Sequence, residues 1–418
     1  MSTYGLDGVL TWTQAHQLAS SCAQQLPSTY ARLDEAAGSI LAQPILTLLD
    51  DPVVDIAAIN GYAVCGEGPW QLTDEVPLRP SRAMRVRTGD PIPAHADAVL
   101  AIDSSAADHH GDGTVSVVGL DELTQLPDER ARPTFGSGII KQAESAPRGT
   151  LLVPAGRALT PAMLALAAAA GHDGVEIVRP PVVGVIVLGK SLLLQGPSRD
   201  GRVRDALGTT VPSFIAACGG RGNPAVRAPD SADLLLTEID DAAVDVIITT
   251  GSTAPGPDNH VRQVLRDLGA HWLIDGVAVT PGAQMLLAKL PDGRFLVGLP
   301  GEPQSALAGL VTLVAPLIAA LRGAPLARSY PSAVLFADTA AAEFADDTRL
   351  APVRLEMLDT AQVAYPLEDD GPAGLAGWAR ADAVAVVPPG AWMSIGYPPS
   401  AMASSKAREV MMSSAVIW

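Results

Sequence analysis

Between Pro181 and Leu321 short apolar runs alternate with helix-like segments, and this alternation limits the folds open to the chain more than any other feature. Val182–Leu188, Val244–Thr249 and Phe295–Leu299 are continuous apolar or β-branched runs, the pattern of strands covered on both faces. Leu207–Cys218, Ala232–Ala242, His260–Leu268 and Gln304–Leu321 have helical character. Such alternation predicts a doubly wound parallel α/β domain, whose ligands gather beyond the carboxyl ends of the strands. Two junctions at that edge, in Asp245–Leu265 and Arg294–Val311, are Gly/Pro-rich loops that open helices. A turn of this kind aims unpaired backbone N–H groups and the positive end of a helix dipole at one point, and two of them suit a ligand with more than one anionic group.

The 418-residue chain is too long for one core, so further domains are expected. Thr13–Gln43 has helical spacing with a break at Pro27; Asp51–Ala101 is rich in Pro, Gly and Val and reads as β-rich. Thr114–Val118 reads as a strand beside a hairpin tip, where His109 and His110 are solvated loop residues rather than metal ligands. Thr160–Ala170 is a helix with a Thr N-cap, Pro at the first position and Gly171 closing it. Val334–Phe336, Ala361–Pro366 and Ala383–Val387 read as strands of a small C-terminal β domain.

A net charge of -17 with no basic stripe argues against nucleic-acid and anionic-membrane partners. Cys22, Cys65 and Cys218 are few and scattered, without a CxxC pair, so neither a disulfide framework nor a zinc site is expected. The first residues carry no basic or apolar leader pattern, and a cytoplasmic location is the expectation. Gln304–Leu321 is uncharged and long enough to resemble a membrane span, but Pro316 and the preceding PGEP loop favour a helix buried against a sheet.

The loop from Gly251 through Ser252, Thr253 and Gly256 to Asn259 has the glycines and hydroxyls of a phosphate cradle, and Pro300, Gly301 and Ser305 form a similar loop. INGYAV, TGDPIPAHADAV, a strand ending at Gly189, TTGSTAPGPDN, TPGAQ and GLPGEPQSA follow one another in a fixed order. That ordered set resembles the molybdopterin molybdenumtransferases, the gephyrin E-domain-like group, from about Thr11 to Gly396. The resemblance implies an α/β multidomain protein: a molybdopterin-binding α/β domain (1–26 and 182–325), a small linking domain (27–50 and 149–181), a β-rich lobe (51–148) and a C-terminal β domain (326–396), with 397–418 an unassigned tail. It further implies a homodimer, an active site between the α/β domain and the partner's lobe, and insertion of molybdate into adenylylated molybdopterin with assistance from Mg2+.

Several positions depart from the family's motifs. Asn60 replaces the aspartate of MDGYAV, and Lys190 stands where TGDEL carries an acid. Asn259 replaces the aspartate that closes GGVSxGxxD, with Asp258 one residue before it. Pro281 and Gly282 survive from KPGKP without either lysine, Glu302 replaces the asparagine of GNP, and Glu144 remains of the GED pair while Ser145 replaces its aspartate. Magnesium wants carboxylates, and each lost charge-assisted contact is worth ~1.5–3 kcal/mol. The candidate catalytic residues are therefore Asn60, Asp205, Asp258 and Glu144, with Asp258 the one weak metal ligand. The candidate binding residues are Gly251, Ser252, Thr253, Gly256, Asn259, Pro281, Gly282, Pro300, Gly301, Ser305 and Lys190. This pattern leaves three readings open: a molybdenumtransferase of reduced or lost activity, a non-catalytic molybdopterin-binding scaffold, and an enzyme on another phosphate-bearing ligand.

Overall fold

The structure is a computed structural model that describes residues 9–229, 231–256, 260–324, 332–335, 347–358, 361–389 and 409–413. Its central sheet runs in the order Arg221–Gly222 and Val226–Ala228, Val182–Leu188, Val246–Thr250, Phe295–Leu299, Leu286–Lys289, His271–Asp275. The first three positions and Phe295–Leu299 are mutually parallel. Leu286–Lys289 pairs antiparallel with both Phe295–Leu299 and His271–Asp275, so the doubly wound parallel sheet is mixed on one side. Segment 276–285, the strand Val277–Thr280 followed by a turn, returns the chain without a helix, and a connection without a crossover joins antiparallel neighbours.

Helices cover both faces. Trp12–Ser21, Leu207–Ala217 and the helix Pro303–Arg322 enclose one core built on Val185, Ile248 and Val297. Ala232–Asp241 and His260–Asp267 enclose the other, around Ile186, Ile247 and Leu296. The Pro303–Arg322 helix is the span-like segment, and 78% of its apolar window is buried in the fold. It widens to a π turn at Leu310–Val314, just before Pro316. A proline inside a helix lacks the N–H for the carbonyl four residues back and crowds it, and a π turn relieves that conflict.

Thr13–Gln43 is not helical throughout. The helix ends at Ser21, and Ser28–Arg32 is a strand paired antiparallel with Gly174–Val178. Apolar Ala31, Leu41, Ile45, Val153 and Ile177 form a separate small core there, against which Met163 and Leu164 of the Pro161–Ala169 helix pack. That helix has the expected cap, Thr160 Oγ1 accepting from Met163 N. Residues 56–140 form the β-rich lobe, whose main sheet includes Gly61–Cys65, Arg82–Val86, Ala98–Ala101 and Val115–Leu120. His109 pairs with Val115 at a hairpin tip, and His110 Nε2 lies 2.8 Å from Ser116 Oγ.

Thr348–Leu358, Ala361–Pro366, Ser332–Leu335, Glu409–Ser413 and Ala383–Val387 pair successively, and the last returns to the first. This is a closed five-stranded ring, so the otherwise unassigned 397–418 segment contributes a strand of the C-terminal domain. Of the expected strand Val334–Phe336, Phe336 lies outside the described residues. Val279 and Thr280 pair with Thr348 and Arg349, joining the ring to the α/β domain.

Candidate functional site

A cavity of about 370 Å³ opens at the carboxyl ends of the parallel strands. Leu188, Gly189 and Lys190 line it from the end of the first strand, Thr250 from the second, Gly301 and Pro303 from the third junction, and Arg204 and Asp205 from the loop that follows the first strand. Ala373 closes it from the C-terminal domain. This volume suits a small organic ligand.

The two Gly-rich loops meet beside it. Gly251 N donates to Leu299 O at 2.9 Å, and a Cβ on Gly301 would stand 3.3 Å from Gly251 Cα. Gly251 (φ +90°) leaves the strand in a conformation that suits glycine. Ser252 Oγ accepts from His260 N at 3.3 Å and so caps the next helix. Thr253 is buried, and its carbonyl accepts from Arg262 Nε at 3.1 Å. Gly256 is exposed, whereas Asp258 and Asn259 lie outside the described residues.

The second loop differs from an open cradle. The helix N-terminus after Pro300 is capped by its own Glu302, whose carboxylate accepts from Gln304 N at 3.2 Å and Ser305 N at 2.8 Å. Two donors expected to face an anion are therefore already engaged. Pro281 and Gly282 support the same helix: a Cβ on Gly282 would lie 3.1 Å from Ser305 O and 3.2 Å from Ala308 Cβ. The segment before Ala373 adds acid to this side. Burial raises the pKa of Asp369; Arg349 opposes that shift, while Glu302 and Asp370 add to it.

Asp205 is buried, with both carboxylate oxygens committed. Oδ1 accepts from Leu207 N at 3.0 Å and Gly208 N at 2.9 Å, and Oδ2 is 2.8 Å from both Arg227 Nε and Nη2. Gly208 makes room for the pair, since a Cβ there would fall 2.3 Å from Oδ2. Asp205 thus anchors a helix start and an ion pair. Arg227 and Arg204 were not singled out in the sequence; the Arg-Val-Arg-Asp run at 202–205, with arginines two apart on an extended segment, was the available signal for Arg204. Nothing local marked Arg227, which sits 22 residues from its partner.

Asn60 and Glu144 are elsewhere. Asn60 Oδ1 accepts from Thr88 N at 3.0 Å, tying two segments of the β-rich lobe together, and Glu144 Oε2 accepts from Lys141 N at 2.7 Å in the turn that follows the lobe. No residue of that lobe lines the cavity. The site residues thus fall into three sets. Lys190, Asp205 and Gly301 meet in the cavity, with Gly251, Ser252, Thr253 and Gly256 in the loop beside it; Pro281, Gly282, Pro300 and Ser305 shape the helix behind it; Asn60 and Glu144 stand apart.

Residues 10–171 match the family model described as MoeA N-terminal region (domain I and II), and residues 184–320 match "Probable molybdopterin binding domain". The molybdopterin molybdenumtransferase of Haemophilus influenzae is 30% identical over 333 residues, covering 73% of this chain and 77% of that protein. Its Bacillus subtilis counterpart is 28% identical over 317 residues, 71% of each. Two crystal structures of molybdopterin biosynthesis MoeA proteins from Pyrococcus horikoshii share the fold, with TM-scores of 0.70 and 0.65 at 24% and 20% identity. They cover 91% and 97% of this chain, and 95% and 99% of their own.

Proposed function

Because this chain belongs to the molybdopterin molybdenumtransferase family, we propose that it binds molybdopterin or its adenylate in the strand-end cavity and inserts molybdate into the pterin dithiolene. The position of that cavity carries the reading: it opens where an α/β sheet gathers ligands, with Gly251 and Gly301 close enough for backbone to approach a phosphate. Its apolar walls, from Val187, Leu188 and Leu192, exclude water around the pterin, and Lys190 supplies positive charge for phosphate or molybdate.

Asp205 positions this wall and is not the base, because a carboxylate that holds two N–H groups and a guanidinium has no lone pair aimed at a water. Magnesium does not fit the described donors. No group of three His, Cys, Asp or Glu stands together among the described residues, and the acid in the cavity is engaged by Arg227.

We read the protein as a homodimer in which the β-rich lobe of one copy faces the cavity of the other. That neither Asn60 nor Glu144 lines the cavity of its own chain supports this arrangement. Its three free thiols suit the cytoplasm. The engagement of Asp205 also favours a second reading, a non-catalytic molybdopterin-binding protein.

The test is incubation of the purified full chain with adenylylated molybdopterin and molybdate, following AMP release and pterin-bound molybdenum. Both are expected well above the protein-free blank. Pterin binding without release would assign the binding role instead, and absence of pterin binding would sink both.

A further inference from the structure

We propose that the phosphate-bearing end of the ligand is held by Lys190 and Arg204 on the 190–205 loop wall of the cavity, and that Glu302 excludes it from the opposite helix N-terminus. For the identity of the ligand, this assignment rests on the function proposed above.

Three observations carry it. First, the cavity is positive in an acidic protein. Its charged lining residues are Lys190, Arg204 and Asp205, and Asp205 is neutralised from behind by Arg227 at 2.8 Å. Among the described residues neither Lys190 nor Arg204 forms an ion pair, so both remain available as counter-charge in a chain of net charge -17.

Second, the basic wall is built. Val203–Arg204 pairs in parallel with Leu192–Leu193, which brings Arg204 alongside the segment that begins at Lys190. Arg204 Nη1 donates to Leu193 O at 3.3 Å, and its backbone N donates to Ser198 Oγ at 3.2 Å. Arg202 Nη2 fastens the same loop through Leu192 O at 3.0 Å. A guanidinium tethered by one nitrogen still presents further donors to a phosphate.

Third, the wall opposite is closed to anions. Glu302 occupies the donors of Gln304 and Ser305, and Gln304 Nε2 donates to Gly374 O at 2.8 Å, drawing the segment that follows Asp369 and Asp370 against the same helix end. A phosphate there would have to displace one carboxylate in the field of two more. The polarity of the cavity thus sets the direction in which an anionic ligand enters.

AMP is a suitable probe, since it carries one phosphate monoester. Isothermal titration of AMP into the full chain should give measurable binding. Lys190→Ala and Arg204→Ala should each raise Kd by about ten-fold, the loss of one charge-assisted contact. Arg204→Lys should recover part of the loss, and circular dichroism should match the parent in each case. Glu302→Gln should move Kd by less than about three-fold, because the amide oxygen keeps one backbone contact and the basic wall is untouched. Unchanged Kd in both alanine variants, absence of AMP binding, or a ten-fold gain in Glu302→Gln would overturn the assignment; the last would put the anion at the helix end. The two readings fail separately. AMP bound through Lys190 and Arg204 without molybdenum insertion keeps this assignment and removes the turnover. Insertion at the parent rate by the doubly substituted protein removes the assignment and keeps the turnover.

Discussion

Replacing Asp205 by Asn separates a supporting carboxylate from a reacting one. The Asn side chain keeps an oxygen for Leu207 N and Gly208 N, so the helix start retains its cap. The charge opposite Arg227 disappears, and an NH2 donor now faces guanidinium donors. Removing one member of a buried ion pair costs about 3–5 kcal/mol. The Asp205 side chain is 2% exposed but that of Arg227 is 33% exposed, so water recovers part of the loss. The net expectation is a loss of about 2–3 kcal/mol. Urea unfolding of the purified full chain, followed by circular dichroism, measures it, with Arg227→Met and the double variant completing a cycle. The double variant should be more stable than the sum of the single losses by more than about 1 kcal/mol, the signature of two groups in contact. A stability loss below about 0.5 kcal/mol, combined with abolished AMP release, would refute the supporting role and return Asp205 to the chemistry.

Two other perturbations test the frame around the cavity. His16 is buried, its ring 4.9 Å from that of Trp12, and burial lowers its pKa to about 4. The unfolded imidazole takes its proton first, so His16 contributes stability above pH ~6.5 that is lost as pH falls through about 4, in total about 3 kcal/mol; His16→Leu should flatten the stability profile across that window, and an unchanged slope would show that other groups set it. Gly282 has φ +105° and would place a Cβ 2.9 Å from Met285 Cε and 3.1 Å from Ser305 O. Gly282→Ala should therefore cost about 2–4 kcal/mol in thermal unfolding, and a loss below about 1 kcal/mol would contradict the close approach.

Where local pattern and tertiary demand agree, the sequence is easy to read. Phe295–Leu299 is buried at all five positions and bounded by Arg294 and Pro300, so its limits follow from composition. Thr160 and Pro161 mark a helix start for local chemical reasons. Ser28–Arg32 has no such local cause: its partner is Gly174–Val178, far along the chain, and pairing overrides the helical spacing of its apolar residues. The strands Leu286–Lys289 and His271–Asp275 are not legible in the sequence, because a mixed side of a sheet is set by the length of a connection rather than by periodicity. At the site, motif order located Lys190, Asp205 and Gly301. It was silent on which groups those side chains would engage. Glu302 turns back onto its own helix and Arg227 arrives from another strand, and both depend on three-dimensional approach.

Trp12 Nε1 donates to Thr312 Oγ1 at 3.1 Å across 300 residues of sequence. The helix Trp12–Ser21 is therefore among the first parts of the described chain to leave the ribosome and among the last to be covered. At about 5–20 residues per second, its partner follows roughly 15–60 s later. The β-rich lobe, made in the interval from segments near one another in the chain, has time to close before the layer that frames the cavity is complete. Through that delay the buried face of Trp12, Ala15 and Ala19 stays open to solvent or to a chaperone. Slow translation or heat stress should therefore expose this face first in the newborn chain, well before any part of the cavity exists to be protected by its ligand.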